Sequence, residues 1–100
     1  MNSPRVSIGI PAYNNAGAIV ATVESALAQS YPDVEIVIAD HTSTDGTAAL
    51  LEHFRATPRV RLLDPTPVGG GALRNWNRVS EAATGEYFKL LCGDDLLDPE

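Results

Sequence analysis

Apolar residues in this chain gather in short runs, and between those runs they recur at helical spacing. Val6 to Pro11 and Val34 to Ala39 are runs rich in β-branched residues, and Val60 to Leu63 and Tyr87 to Leu91 are weaker runs of the same kind. Short continuous runs bounded by turn residues predict strands buried on both faces. Between the first two runs, Ile19, Val23, Ala26 and Leu27 predict a helix over Ala16 to Gln29, closed by the turn Ser30-Tyr31-Pro32-Asp33. Thr44, Asp45 and Thr47 offer capping oxygens before a second helix, Ala48 to Arg55. The pattern returns from Ala72 to Ala83 after a run of glycines, and Gly85 is expected to stop that helix.

The resulting order, β-α-β-α-β-α-β, predicts an α/β fold of three layers: a mainly parallel, Rossmann-like sheet with helices on both faces. A chain of 100 residues supports one domain, 1–100, since one core at this size already buries roughly two-thirds of the unfolded surface. Ligands of such sheets sit beyond the carboxyl ends of the strands. This directs attention to Ala12-Tyr13-Asn14, Asp40-His41-Thr42, Asp64-Pro65 and Gly93-Asp94-Asp95. The chain stops soon after the fourth run, so the domain is expected to be cut rather than completed. An uncovered sheet edge then leads to the expectation of a homo-oligomer.

Charge narrows the partners. The net charge of −6, with no concentrated basic patch, argues against nucleic acid and anionic lipid. Cys92 is the single cysteine, which excludes an intrachain disulfide and a cysteine zinc cluster and fits a reducing compartment, with the cytoplasm expected. No leader pattern opens the chain, and no stretch reaches the ~18 apolar residues of a transmembrane segment.

Gly93-Asp94-Asp95 sets two adjacent carboxylates at a strand end. Their repulsion in a partly desolvated crevice calls for a divalent cation, bridging to a diphosphate; aspartates that merely cap the turn into Leu96-Leu97 would look the same. Asp40 ends a buried run, and because Ser43, Thr44 and Asp45 already supply capping groups downstream, its carboxylate is expected to stay available for a ligand. Gly69-Gly70-Gly71 opens a helix and either brings backbone N–H groups to a phosphate or forms a flexible loop. Cys92 reads as a small strand residue, and His53, among Leu50, Leu51 and Phe54 with no second histidine at ligand spacing, reads as structural.

Pro-Ala-Tyr-Asn at 11–14, Ala-Asp-His-Thr-Ser-Thr-Asp-Gly-Thr at 39–47, Gly-Glu-Tyr at 85–87 and Gly-Asp-Asp at 93–95 resemble, in order and spacing, the family 2 glycosyltransferases. The resemblance implies a GT-A fold, a nucleoside-diphosphate-sugar donor and a divalent cation, magnesium or manganese. It implies inverting transfer to a hydroxyl of a carbohydrate or lipid-linked acceptor, in polysaccharide or cell-envelope assembly. Carried over by position, Asp95 matches the metal ligand and Asp94 its neighbour that contacts donor and cation. Pro11, Ala12, Tyr13 and Asn14 match the run that lines the base pocket, and Asp40 and His41 face the base or ribose. The family often has Ala-Arg-Asn on the third helix. Counting back from Gly85 without a gap puts Trp76 at the arginine and Asn77 at the asparagine, with Arg74 half a turn earlier as a substitute.

Two departures matter. His41 stands where the family often has a second aspartate, and Cys92 where it often has an aspartate two residues before the pair. A neutral His41 can accept a hydrogen bond from a base N–H, but with different geometry, so a uridine preference does not carry over. The family's general base is expected beyond the position of Glu100, so no catalytic residue is assigned and this chain alone is expected to be inactive. Two alternatives stand beside the enzyme: a nucleotide-binding module or fragment without turnover, and a phospho-acceptor receiver. The receiver requires a lysine at another strand end, whereas Lys89 lies mid-run.

Overall fold

The computed structural model describes residues 5–29 and 33–93. Its elements are β1 (Val6–Ala12), α1 (Ile19–Leu27), β2 (Val34–Asp40), α2 (Thr47–Glu52), β3 (Val60–Leu62), α3 (Gly71–Ala82) and β4 (Tyr87–Leu90). The strands pair in parallel in the order β3-β2-β1-β4. β1 and β2 form the centre, in register from Val6↔Val34 to Ala12↔Asp40. Pro11 is tolerated in a central strand because the β4 ladder ends at Gly9↔Leu90, before the missing N–H would be needed.

Alternate residues of the central strands face two separate cores. Ile8, Ile10, Ile36 and Ile38 pack with Ile19, Val23 and Ala26 of α1 and Leu51 of α2. On the other face Val37 and Ala39 pack with Val79 of α3. Each fully buried isoleucine contributes about 1.5–3 kcal/mol, so the three-layer arrangement follows from the runs themselves. The outer strands depart from expectation. Tyr87 is 63% and Phe88 41% exposed, and β3 is only half-buried. Among the described residues β3 and β4 each have one neighbouring strand, and the helices cover the centre of the sheet.

Helix ends differ from the expected ones for local reasons. Residues 16–18 form a turn instead of the start of α1, with Asn15 O accepting the N–H groups of both Ala18 and Ile19. Past Glu52 the bonding tightens to i→i+3, from His53 N–H to Leu50 O and from Phe54 N–H to Leu51 O, so α2 ends early and leaves His53 exposed. α3 ends at Ala82, capped by Ala83, so Gly85 does not stop it. Gly85 is required by close approach instead: a Cβ there would lie 2.7 Å from Arg5 O and 2.8 Å from Ser7 N.

That contact belongs to a polar cluster at the amino ends of the strands. Glu35 is 5% exposed and accepts hydrogen bonds from Ser7 Oγ at 2.6 Å, Thr84 N at 2.6 Å, Thr84 Oγ1 at 2.9 Å and Arg61 at 3.3 Å. Burial pushes its carboxyl up, but the bonds from Ser7, Thr84 and Arg61 together outweigh burial and lower it from 4.5 to about 2. This cluster secures the end of α3 to the sheet, at the opposite end from the carboxyl ends of the strands.

Candidate functional site

At the carboxyl ends of the strands the loops after β1 and β2 are bonded to each other. Asn14 takes a left-handed φ of 50°, which asparagine tolerates. Its N–H donates to Ser43 Oγ at 2.8 Å, and its Oδ1 accepts Thr44 N–H at 2.8 Å. Asn15 N–H donates to Thr47 Oγ1 at 2.9 Å, and Asp45 accepts from Ala16 N–H at 3.1 Å. Hydrogen bonding from the Thr47 hydroxyl, opposed by burial and aided by the Ala16 and Thr47 amides, lowers the Asp45 carboxyl below its usual range. Thr42 is held at φ 53°, a strained conformation for a β-branched residue costing of order 1–3 kcal/mol. Its hydroxyl donates to Thr66 O at 2.6 Å.

Asp40, expected to be free of local bonds, is engaged within its own turn. It is 4% exposed, its Oδ2 accepts Ser43 N–H at 2.9 Å and its Oδ1 accepts the Ser43 hydroxyl at 2.5 Å. Asp45 bonds to Thr47 and Ala16 instead, so the turn after β2 relies on Asp40 for its own closure. Pro11 and Ala12 are buried at the end of β1, whereas Tyr13 is 58% exposed.

The third wall comes from the segment joining β3 to α3. Thr66 is fully buried; its N–H donates to Asp40 O at 2.8 Å and its hydroxyl to Asn75 Oδ1 at 2.5 Å. Asn75, 2% exposed, donates through Nδ2 to Ala39 O at 2.9 Å and to Ala12 O at 3.4 Å. One amide therefore joins the ends of β1 and β2 to the loop before α3. Asn77, to which the count from Gly85 leads, is exposed on α3. Arg74 precedes Asn75 directly and reaches back to Val68 O at 3.4 Å, and Trp76 is 38% exposed. The signal for Asn75 is its spacing of four from Val79, the other buried residue of α3.

A pocket of about 470 Å³ opens between these loops, lined by Tyr13, His41, Thr42 and Thr44 on one side and Val68, Gly69, Gly71 and Ala72 on the other. The Tyr13 and His41 rings meet edge-on, with centroids 6.1 Å apart. His41 Nε2 lies 2.9 Å from Gly69 O. A carbonyl only accepts, so Nε2 carries the hydrogen and acceptor capacity is confined to Nδ1. Of the assigned residues, Tyr13 and His41 line the pocket, and Ala12, Asn14 and Asp40 support it from behind.

Asp94 and Asp95 lie outside the described residues. Among the described residues no three His, Cys, Asp or Glu side chains are grouped to hold a metal, and each Asp40 oxygen accepts a hydrogen bond from Ser43. Gly93, which precedes Asp94 in sequence, is held in place. The buried Thr22 hydroxyl donates to Gly93 O at 3.1 Å, and a Cβ at Gly93 would press into the Asn15 side chain. Cys92 is half-buried beside it.

Residues 7–100 match the sequence model described as Glycosyl transferase family 2. The chain is 43% identical over 98 residues to a chondroitin synthase of Escherichia coli, covering 97% of this chain and 14% of that protein. The structure of S. aureus TarS 1-349 in complex with UDP-GlcNAc is similar with a TM-score of 0.85 and 26% identity, over 96% of this chain and 28% of that one. The mannosyltransferase PcManGT from Pyrobaculum calidifontis, in complex with GDP-Man and Mn2+, is similar with a TM-score of 0.82 and 31% identity, over 96% and 29% of the two chains. The chain spans less than a third of the length of each of these relatives.

Proposed function

Because this chain belongs to glycosyl transferase family 2, we propose that its strand-end pocket takes up the nucleotide of a nucleoside-diphosphate sugar. The sugar is then transferred with inversion to a hydroxyl of a carbohydrate or lipid-linked acceptor. The observation that carries this reading is the pocket itself, which lies at the carboxyl edge of a parallel sheet and is walled by an aromatic ring, an imidazole, two threonines and a glycine loop. A flat base fits against the Tyr13 and His41 rings. The amino end of α3, twelve residues long, carries partial positive charge suited to the diphosphate, and Arg74 on its first turn adds a full one.

The relatives complexed with UDP-GlcNAc and with GDP-Man and Mn2+ support a sugar nucleotide and a divalent cation here. Asp94 and Asp95 would hold the cation, which supplies neutralisation of the charge developing on the leaving diphosphate. This chain's described residues serve donor binding: Ala12 and Asn14 shape the floor, Asp40 and Ser43 rigidify the β2 turn, and Asn75 fixes the strand ends relative to α3. No helix among the described residues is long and apolar enough to cross a membrane, and a cytoplasmic setting fits the lone cysteine. The exposed Tyr87 and Phe88 of β4 support association with a second copy.

Calorimetric titration with UDP-GlcNAc and with GDP-mannose, each in Mn2+ and in EDTA, tests the reading. Saturable binding of at least one, strengthened by Mn2+, is expected. Failure of both nucleotides to bind in Mn2+ would overturn it.

A further inference from the structure

Gly69, Gly70 and Gly71 have φ values of 99°, 79° and 68°. Three successive left-handed residues are a conformation for which glycine alone is suited, and glycine loses more backbone entropy on ordering than any other residue. Thr66 is pinned on one side of this segment and α3 begins on the other. Val68, between them, is 76% exposed and adds little packing. The short bond to the middle of the segment comes from His41 Nε2, 2.9 Å from Gly69 O; the Arg74 bond to Val68 O is longer, at 3.4 Å.

His41 is a rigid anchor for that bond. It is 8% exposed, its main-chain N–H donates to Ala12 O at 2.8 Å, and its ring meets Tyr13 edge-on. We propose that His41 is a positioning residue that latches the glycine loop as a wall of the donor pocket before ligand arrives. The proposal rests on the reading of that pocket as the nucleotide site. A wall ordered in advance spares the ligand the entropy of ordering it, so the latch sets donor affinity through Gly69 rather than through chemistry at the sugar.

The variants are His41→Ala, which removes the donor, and His41→Gln, whose amide N–H can reach the same carbonyl. Amide hydrogen exchange across residues 68–72 and the Kd for UDP in Mn2+ are read in both. His41→Ala is expected to speed exchange of this segment and weaken UDP binding, each by about fivefold, the factor one hydrogen bond supplies. Amides of β1 and β2 should keep their protection, and His41→Gln should restore both readouts to within about twofold. Unchanged exchange of the segment in His41→Ala would overturn the latch, as would a glutamine variant no better than alanine. If the unaltered protein binds no UDP or GDP, the nucleotide reading falls and the exchange measurements alone decide the latch.

Discussion

Replacing Asn75 with alanine should unfasten the junction on which the candidate site is built. The side chain is 2% exposed and donates to Ala39 O at 2.9 Å and Ala12 O at 3.4 Å while accepting from Thr66 Oγ1 at 2.5 Å. The losses are partly covered. Ala12 O still accepts from His41 N–H, and Thr66 Oγ1 still accepts from Arg78 at 2.8 Å. With a net of about 1 kcal/mol per bond and a further penalty for the carbonyl lone pairs left dry, the cost is roughly 2–4 kcal/mol. Against a total stability of about 5–15 kcal/mol for a domain of this kind, that is a large fraction. Asn77→Ala, at an exposed position on the same helix, should stay within about 0.5 kcal/mol. Urea unfolding of the three proteins, followed by circular dichroism, gives the comparison. A loss below about 1 kcal/mol in Asn75→Ala, or an equal loss in Asn77→Ala, would refute the placement of the junction.

Further outcomes follow from other parts of the fold. Glu35, lowered from 4.5 to about 2 in the folded chain, contributes about 3 kcal/mol of stability that is fully present above pH 4.5 and lost as pH falls through about 2. The stability difference between the unaltered chain and Glu35→Gln, measured by urea unfolding, should therefore shrink across that window, and a difference independent of pH would contradict the cluster. Gly85→Ala would drive a Cβ into the backbone at Arg5 and Ser7, whereas Gly9→Ala meets side-chain atoms alone, the half-exposed Phe88 ring at 2.6 Å, which can swing aside, and Val79 Cγ2 at 3.0 Å. Thermal unfolding should show the larger loss at Gly85, and the reverse order would show that the backbone there yields. Asp95→Ala should abolish the gain in nucleotide affinity on adding Mn2+ while leaving the melting temperature within a few degrees. An undiminished Mn2+ effect would remove Asp95 from the cation site.

The alternation of strands and helices was legible because runs such as Val34 to Ala39 are too short and too β-branched for anything but a buried strand. The parallel order directed attention to the carboxyl ends of the strands, where the pocket opens. Exposure of β4 was not legible, since the run from Tyr87 resembles a central strand in composition and only pairing decides which strand lies outside. Ser43, Thr44 and Asp45 read alike as capping groups downstream of Asp40, and the sequence did not show that Ser43, three residues on, donates to both Asp40 oxygens. Counting from Gly85 pointed to Asn77, which is exposed, whereas the spacing of Asn75 and Val79 marks the inward face of α3. The glycine loop reads as flexible in sequence; its left-handed backbone and its bond to His41 depend on residues 28 positions apart.

Amide chemical-shift mapping of the isotopically labelled chain, titrated with UDP-GlcNAc and with GDP-mannose in Mg2+, tests most directly whether the strand-end pocket is the nucleotide site. The expected result is a saturable set of shifts at Tyr13, His41, Thr42, Thr44 and 68–72, with the Ser7, Glu35 and Thr84 cluster at the opposite end of the sheet unmoved. Saturable shifts centred elsewhere, or none with either nucleotide, would contradict it.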